Sequence, residues 1–193
     1  MRLVLASASP RRRSLLEEAG LRFEVRHASV DEESPDHADP AALARGLALR
    51  KARAVASVLQ GGAPALVLAA DTVVALDDGR ILGKPRDREE AASHLRALSG
   101  TTHSVITGVC LLDVPGEREE VFHVLSRVTM RTLSEGEVLD YATSQEGMDK
   151  AGGYAIQEGG DRFVLRLEGS RSNVVGLPVE EVLARLAARG VLP

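Results

Sequence analysis

The sequence predicts an α/β fold in which helices flank a mixed, twisted β-sheet and two lobes face each other across a cleft. The prediction comes from the order of its segments. Short apolar or alternating segments, typical of strands, interleave with longer amphipathic segments, typical of helices, along the 193 residues. No internal repeat or low-complexity linker interrupts this order, so we expect a single domain over residues 1–193.

The N-terminal third indicates two strands and two helices. Pro10 suits the first turn of a helix and Gly20 its stop, because Pro needs no hydrogen bond there and Gly accepts the backbone turn that follows. Asp39 and Pro40 are a typical cap and first residue of a longer helix. The expected elements are strands at 3–5 and 23–27, helices at 10–20 and 40–59, and an acidic loop at 31–39.

The rest of the chain continues the alternation of strands and helices. Asp77 to Gly79 predicts a hairpin turn, and Ser134 with Glu137 fits a capping box at the start of a helix. The expected strands are 65–74 (interrupted at 70–72), 102–114, 119–132 and 163–167; the expected helices are 87–98, 134–144 and 178–190, with a glycine-rich loop at 152–160.

The composition disfavours two classes of partner. The net charge is −4 and only five residues are Phe or Tyr, with no Trp, whereas a nucleic-acid binder needs a basic surplus and stacking side chains. The longest apolar stretch, around 63–70, is too short to span a bilayer. We therefore expect neither a nucleic-acid partner nor a membrane partner.

The cytoplasm is the expected compartment. The N-terminus lacks the apolar core and the cleavage site of a signal peptide. Cys110, the only cysteine, cannot form an internal disulfide and lies in an apolar run, so we expect a buried and unreactive thiol.

The segment around the first helix start concentrates groups that bind anions. Ser7 and Ser9 precede Pro10, and the consecutive arginines Arg11, Arg12 and Arg13 follow it. A helix N-terminus carries a partial positive charge and free N–H groups, which suit phosphate. Three cations there disfavour the helix, a cost that a bound anion would offset. A solvated basic turn is the alternative.

Two acidic positions are candidates for catalysis. Asp71 lies within an apolar strand, where a carboxylate is costly unless it is paired or binds a metal, so we expect a base in a cleft. Capping of a turn through Thr72 is the structural alternative. Glu32, in the acidic loop, offers a second carboxylate for a hard cation such as Mg²⁺, although such loops are often only solvated.

Three lysines and one glutamine complete the candidates. Lys51, Lys84 and Lys150 are the only lysines in an arginine-rich chain, and Lys84 is held between Gly83 and Pro85. Gln157 is placed to read donors and acceptors of a base. Motifs of zinc hydrolases, serine hydrolases, P-loop proteins and Rossmann folds are absent from the sequence. The cations, carboxylates and amide together suit metal-assisted hydrolysis of a phosphoanhydride.

Five ordered segments resemble the signature segments of Maf proteins, a family of nucleoside triphosphate pyrophosphatases related in fold to the inosine-triphosphate pyrophosphatases. Together they cover essentially the whole chain. They are LASASPRR at 5–12, AADTVV at 69–74, GKPRD at 83–87, DKAGGYAIQ at 149–157 and GSRSNVVGLP at 169–178.

The resemblance implies that a nucleoside triphosphate and water give the monophosphate and pyrophosphate. It implies a divalent cation, with Mg²⁺ expected and Mn²⁺ or Co²⁺ as alternatives, and it suggests a homodimer. The implied roles are Asp71 as proton acceptor and metal ligand, Glu32 as metal ligand, and Arg12, Lys51 and Lys84 as phosphate-binding cations.

Within the family, the chain is similar to the subgroup that acts on dTTP and UTP. Arg11, Thr72 and Gln157 match its specificity positions. Arg13 leaves open which guanidinium reaches the substrate, and neither Lys150 nor Ser172-Asn173 receives a role. The alternatives are a pyrophosphatase for modified or purine nucleotides and a nucleotide-binding regulator of cell division with little turnover.

Overall fold

The computed structural model describes residues 1–27, 30, 39–116, 118–157 and 159–191. Thirteen helices and strands follow one another in these ranges, and short 3-10 turns at Ala151–Gly153 and Gly160–Phe163 precede the last strand. In chain order they are β1 (Arg2–Ala6), α1 (Pro10–Glu18), β2 (Glu24–Arg26), α2 (Pro40–Leu59), β3 (Ala65–Ala75), β4 (Ile81–Leu82), α3 (Arg88–Leu98), β5 (Thr102–Val114), β6 (Glu119–Met130), α4 (Glu135–Ser144), β7 (Val164–Glu168), α5 (Arg171–Val175) and α6 (Val179–Ala188).

The strands form one mixed sheet with the order β2-β1-β3-β5-β6-β7, and β4 pairs with the end of β3. β1 runs parallel to both of its neighbours, whereas β3, β5, β6 and β7 pair antiparallel. The last recorded pair between β1 and β3 is Leu5 with Leu68. The second half of β3 therefore extends past the end of β1, and the cleft described below opens there.

Among the described residues, four clusters of buried apolar side chains pack on this sheet, and the smallest joins Ala44 of α2 to Val73 and Ile106. On one face, α2 packs over β1, β3 and β5; on the other, α1 and α6 cover the same strands. The remaining large cluster joins α3 and α4 to the far ends of β3, β5 and β6. We call the part of the molecule around α1, α2 and α6 the first lobe and the part around α3 and α4 the second lobe. This arrangement confirms the predicted α/β fold with a mixed sheet and flanking helices.

Gly108 allows α2 to approach the sheet closely. A Cβ atom at this position would lie 2.3 Å from the backbone carbonyl carbon of Ala44, much closer than any side chain tolerates. Gly108 is also the cross-strand neighbour of Asp71 on β5. The glycine thus brings α2 against the sheet beside the candidate catalytic carboxylate.

The structure corrects two details of the predicted elements. β3 is continuous over Ala65–Ala75, with no interruption at 70–72, because its backbone pairs with β5 along the whole length. The short helix α5 was not predicted, since five residues are too few to show a helical period.

Two further expectations can be compared with the structure. Cys110 is buried, and burial raises the pKa of its thiol to about 12, which confirms an unreactive side chain at neutral pH. None of the helices in the described ranges is long and apolar enough to cross a membrane.

Candidate active site

A cleft of about 320 Å³ lies between the two lobes at the extended half of β3. Its walls bring together nine of the residues singled out from the sequence, whose roles remain predictions. Glu32 lies outside the described residues. The nine are Ser7, Ser9, Arg11, Arg12, Lys51, Asp71, Thr72, Lys84 and Gln157.

Asp71 is held in the cleft by an ion pair with Lys51. The Lys51 Nζ donates to Asp71 Oδ1 at 2.5 Å, and the two side chains are only 10% and 12% exposed. Lys51 lies on the same buried face of α2 as Ala44, the residue that packs on Gly108. The ammonium offsets the cost of placing a carboxylate in an apolar strand, which explains why β3 accommodates Asp71 without a break.

Arg12 is fixed by three protein acceptors from three parts of the chain. Its Nε donates to the carbonyl oxygen of Gly176 at 2.8 Å. Its Nη1 donates to Ser7 Oγ at 3.3 Å and its Nη2 to Thr72 Oγ1 at 3.2 Å. Such a guanidinium is preorganised, so binding a phosphate would cost little side-chain entropy.

The Thr72 hydroxyl belongs to a chain of hydrogen bonds whose direction can be assigned. Thr72 Oγ1 lies 2.9 Å from Thr107 Oγ1, and Thr107 Oγ1 lies 3.1 Å from the carbonyl oxygen of Asn173. If Thr107 donated to Thr72, two oxygens would face each other at 3.1 Å with no proton between them. Thr107 therefore donates to Asn173. Thr72 donates to Thr107 at 2.9 Å in preference to the carbonyl oxygen of Gly176 at 3.5 Å, and Arg12 donates to Thr72.

Asn173 has a structural role that the sequence did not reveal. Its side chain is fully buried, and its Nδ2 donates to the carbonyl oxygen of Val105 at 3.1 Å and to Ser126 Oγ at 2.9 Å. Its own carbonyl accepts from the Gly176 N–H at 3.0 Å. Asn173 thus anchors α5 to the sheet and places the Gly176 carbonyl that holds Arg12. Its position within GSRSNVVGLP was the available signal.

The three consecutive arginines separate into different environments. Arg11 Nη1 donates to Asp149 Oδ2 at 2.9 Å, and Lys150 Nζ donates to Asp149 Oδ1 at 2.6 Å. Arg13 pairs with Glu17 one turn along the same helix and is 63% exposed, outside the cleft lining. The structure thus places Arg11 and Arg12 in the cleft, and it places Lys150 there as well.

The wall from the second lobe combines polar and apolar side chains. Lys84 and Gln157 are exposed residues of the lining, and Gln157 has no hydrogen-bond partner among the described residues. Tyr154 also borders the cleft, although it is largely buried, and its hydroxyl lies 2.8 Å from His103 Nε2. Burial lowers the pKa of His103 to about 4, so its ring is neutral at pH 7 and supports the wall rather than binding anions.

The described residues of the cleft could supply only part of the ligands of a Mg²⁺ ion. Among the residues with described positions, no group of three or more His, Cys, Asp or Glu side chains lies close enough together to hold a metal ion. Mg²⁺ commonly takes one or two protein carboxylates and completes its shell with water and substrate phosphate oxygens. Asp71 in the cleft wall is a suitable oxygen ligand of this kind.

Comparison with known proteins identifies the family of this chain. Residues 2–189 match the family described as Maf-like protein. A relative from Myxococcus xanthus is 53% identical over 98% of this chain and 93% of its own length, and one from Pelotomaculum thermopropionicum is 50% identical over 96% and 93%. One from Deinococcus radiodurans is 49% identical over 98% and 94%. All three relatives are named dTTP/UTP pyrophosphatase.

The solved structure of the Staphylococcus aureus Ham1 protein has a similar fold. Its TM-score is 0.52 over 98% of this chain and 100% of the other, at 14% sequence identity. This likeness supports the predicted fold alone. The family match across nearly the whole chain, together with relatives at about half identity, shows that the chain belongs to the Maf family.

Proposed function

We propose that this protein is a nucleoside triphosphate pyrophosphatase that hydrolyses dTTP and UTP to the monophosphate and pyrophosphate. The observation that carries the proposal is the cleft itself, which is lined both by the Asp71–Lys51 pair and by the fixed guanidinium of Arg12. A carboxylate base beside cations suits hydrolysis of a phosphoanhydride. The activity stated for the relatives points the same way.

In the proposed reaction, Asp71 accepts a proton from a water molecule that attacks the α-phosphorus. The bond from that phosphorus to the bridging oxygen breaks, and pyrophosphate leaves with the electron pair of the bond. Lys51 holds the Asp71 carboxylate in position, while Arg12 and Lys84 bind the phosphate oxygens and stabilise the charge of the leaving pyrophosphate.

A divalent cation, Mg²⁺ or alternatively Mn²⁺ or Co²⁺, belongs to the proposal. Asp71 would hold it, with Glu32 from the acidic loop as the second carboxylate, in addition to substrate oxygens and water. When bound, the cation supplies charge neutralisation of the phosphate oxygens. Removal of the cation with a chelator is expected to stop turnover, and added Mg²⁺ is expected to restore it.

The preference for uracil and thymine is assigned to Arg11, Thr72 and Gln157. The Gln157 side chain lines the cleft and makes no hydrogen bond to any described residue, so its amide can pair with both a donor and an acceptor of a base. The proposed biological role is the removal of unwanted nucleotides, including modified pyrimidine nucleotides, in the cytoplasm, by a protein that forms a homodimer.

Substitution of Gln157 by alanine is expected to weaken the preference for dTTP and UTP over other triphosphates. The kcat/KM for UTP should fall by roughly tenfold, the value of about one hydrogen bond to the base. Metal dependence should not change, since Gln157 is on the base side of the proposed site. Gln60→Ala, outside the cleft lining, is the matched control. An unchanged nucleotide profile would show that Gln157 does not read the base.

A panel of normal and modified triphosphates tests the proposed function directly. The expected result is catalytic release of pyrophosphate from dTTP and UTP in the presence of Mg²⁺. Faster turnover of purine or modified nucleotides would favour a pyrophosphatase of other specificity. Stoichiometric binding of nucleotide with no product would favour the regulator.

A further inference from the structure

We infer that Asp149 is a specificity-determining positioning residue, which holds the Arg11 guanidinium in place for the base of the nucleotide. The inference rests on the proposed function, since it concerns how the same cleft selects its substrate. Nothing in the sequence pattern assigned a role to Asp149, and its importance follows from the partners it has in the folded protein.

The Arg11–Asp149 pair connects the two lobes across the cleft. Arg11 is in the first turn of α1, whereas Asp149 precedes the 3-10 turn at Ala151–Gly153, 138 residues further along the chain. Both residues line the cleft. The position of the Arg11 side chain is therefore set from the opposite wall and not only by its own helix.

Asp149 is itself held by Lys150. Lys150 Nζ donates to Asp149 Oδ1 at 2.6 Å and also to the backbone carbonyl of Glu146, and its side chain is only 9% exposed. Burial disfavours the charged form of Asp149, but the hydrogen bonds from Lys150 and Arg11 outweigh it and lower the pKa of the carboxyl. Arg11 is thus tied through a charged carboxylate to the backbone of the second lobe.

The pairing with Asp149 uses only one nitrogen of the Arg11 guanidinium, so its other N–H groups can donate to a ligand. Asp149 Oδ2 accepts from Nη1, and no other hydrogen bond from Arg11 reaches a described residue. The remaining N–H groups belong to a side chain that is 22% exposed in the cleft wall. A carboxylate beside the guanidinium makes this site less attractive to phosphate than to a neutral carbonyl oxygen, such as those of uracil and thymine.

Stability alone is a poor explanation for this pair. The Asp149 side chain is 63% exposed, and ion pairs with such exposed partners contribute little to folding. A positioning role explains the pair better, because small displacements of a group that binds the substrate reduce kcat/KM strongly.

A double-mutant cycle on kcat/KM for UTP tests the inference. Asp149→Asn is expected to lower kcat/KM by roughly 10- to 100-fold, mainly through KM. The amide has only one acceptor oxygen, so it cannot accept from both Arg11 and Lys150, and the guanidinium loses its fixed position. Arg11→Gln should lower it at least as much, and Asp149→Asn should add almost no further loss in the Arg11→Gln background. Inhibition by inorganic tripolyphosphate should remain the same in all four proteins. Asp149→Ser serves as a second variant if the asparagine variant does not fold.

Glu17→Gln is the matched control, because it removes a carboxylate paired with Arg13 on the outer side of the same helix. Losses that multiply in the double variant, or an unchanged kcat/KM in both Asp149 variants, would overturn the inference. Weakened inhibition by tripolyphosphate in Asp149→Asn would overturn it too, since it would place Arg11 on phosphate. UTP hydrolysis by the unmodified protein tests the proposed function separately, so the two failures are distinguishable.

Discussion

Asp71→Asn is expected to remove nearly all hydrolysis of UTP while the protein remains folded. Asparagine has the same size, but its amide cannot accept the proton of the attacking water, and loss of a general base typically costs about 10²- to 10⁴-fold in rate. Its amide oxygen can still accept the hydrogen bond from Lys51, so β3 and α2 should keep their contact. Steady-state release of pyrophosphate and a urea unfolding curve measure the two effects.

Asp77→Asn provides the matched control for this variant. Asp77 is also ion-paired, with Arg127 at 2.7 Å, but it is 64% exposed and outside the cleft lining. We expect normal turnover from it. Near-normal turnover in Asp71→Asn would refute the assignment of Asp71 as proton acceptor, whereas loss of folding would point to the Lys51 pair as mainly structural.

Arg12→Lys is expected to cause the second large loss, although it conserves charge. A lysine has one ammonium in place of the planar fork, so it cannot bond Gly176, Ser7 and Thr72 together as the guanidinium does. Removal of one preorganised charge-stabilising group commonly costs about 10²- to 10³-fold in kcat. We expect a loss of this size in kcat/KM for UTP.

The neighbouring arginine supplies the control for Arg12. Arg13→Lys changes the same residue type one position along α1, at an exposed side chain paired with Glu17. It should leave kcat/KM unchanged. Equal losses in both variants would mean that the basic segment acts through its overall charge and not through the fixed guanidinium of Arg12.

Most helices and strands could be predicted from the sequence because their apolar residues repeat with clear periods. α2 and β5 are examples, with boundaries within a residue or two of those expected. The periods of the apolar residues do not show which strands pair with each other in the sheet. That β1 pairs parallel with β3, and that β3 extends beyond it to open the cleft, depends on packing between distant segments.

In the candidate active site, too, some features could be predicted from the sequence and others could not. Asp71 could be identified from the sequence because a carboxylate in an apolar strand is costly unless it is paired, and Lys51 because lysines are rare in this chain. Their contact at 2.5 Å could not be predicted, since it depends on the close approach of α2 to the sheet at Gly108. Thr107 was missed because an ordinary polar residue in a strand carries no signal of its own. Asn173 was missed because its place within GSRSNVVGLP does not show that its side chain is buried. Their roles arise from buried contacts with Thr72, Val105 and Ser126 that only the folded chain creates.

Hydrolysis of UTP in water enriched in oxygen-18 shows which phosphorus atom the water attacks. If water attacks the α-phosphorus, as the placement of Asp71 and the cations predicts, the products are UMP and pyrophosphate and the label is found in UMP. Label in pyrophosphate would show attack at the β-phosphorus, and products of UDP and phosphate would show attack at the γ-phosphorus; either result would rule out the reaction proposed for Asp71.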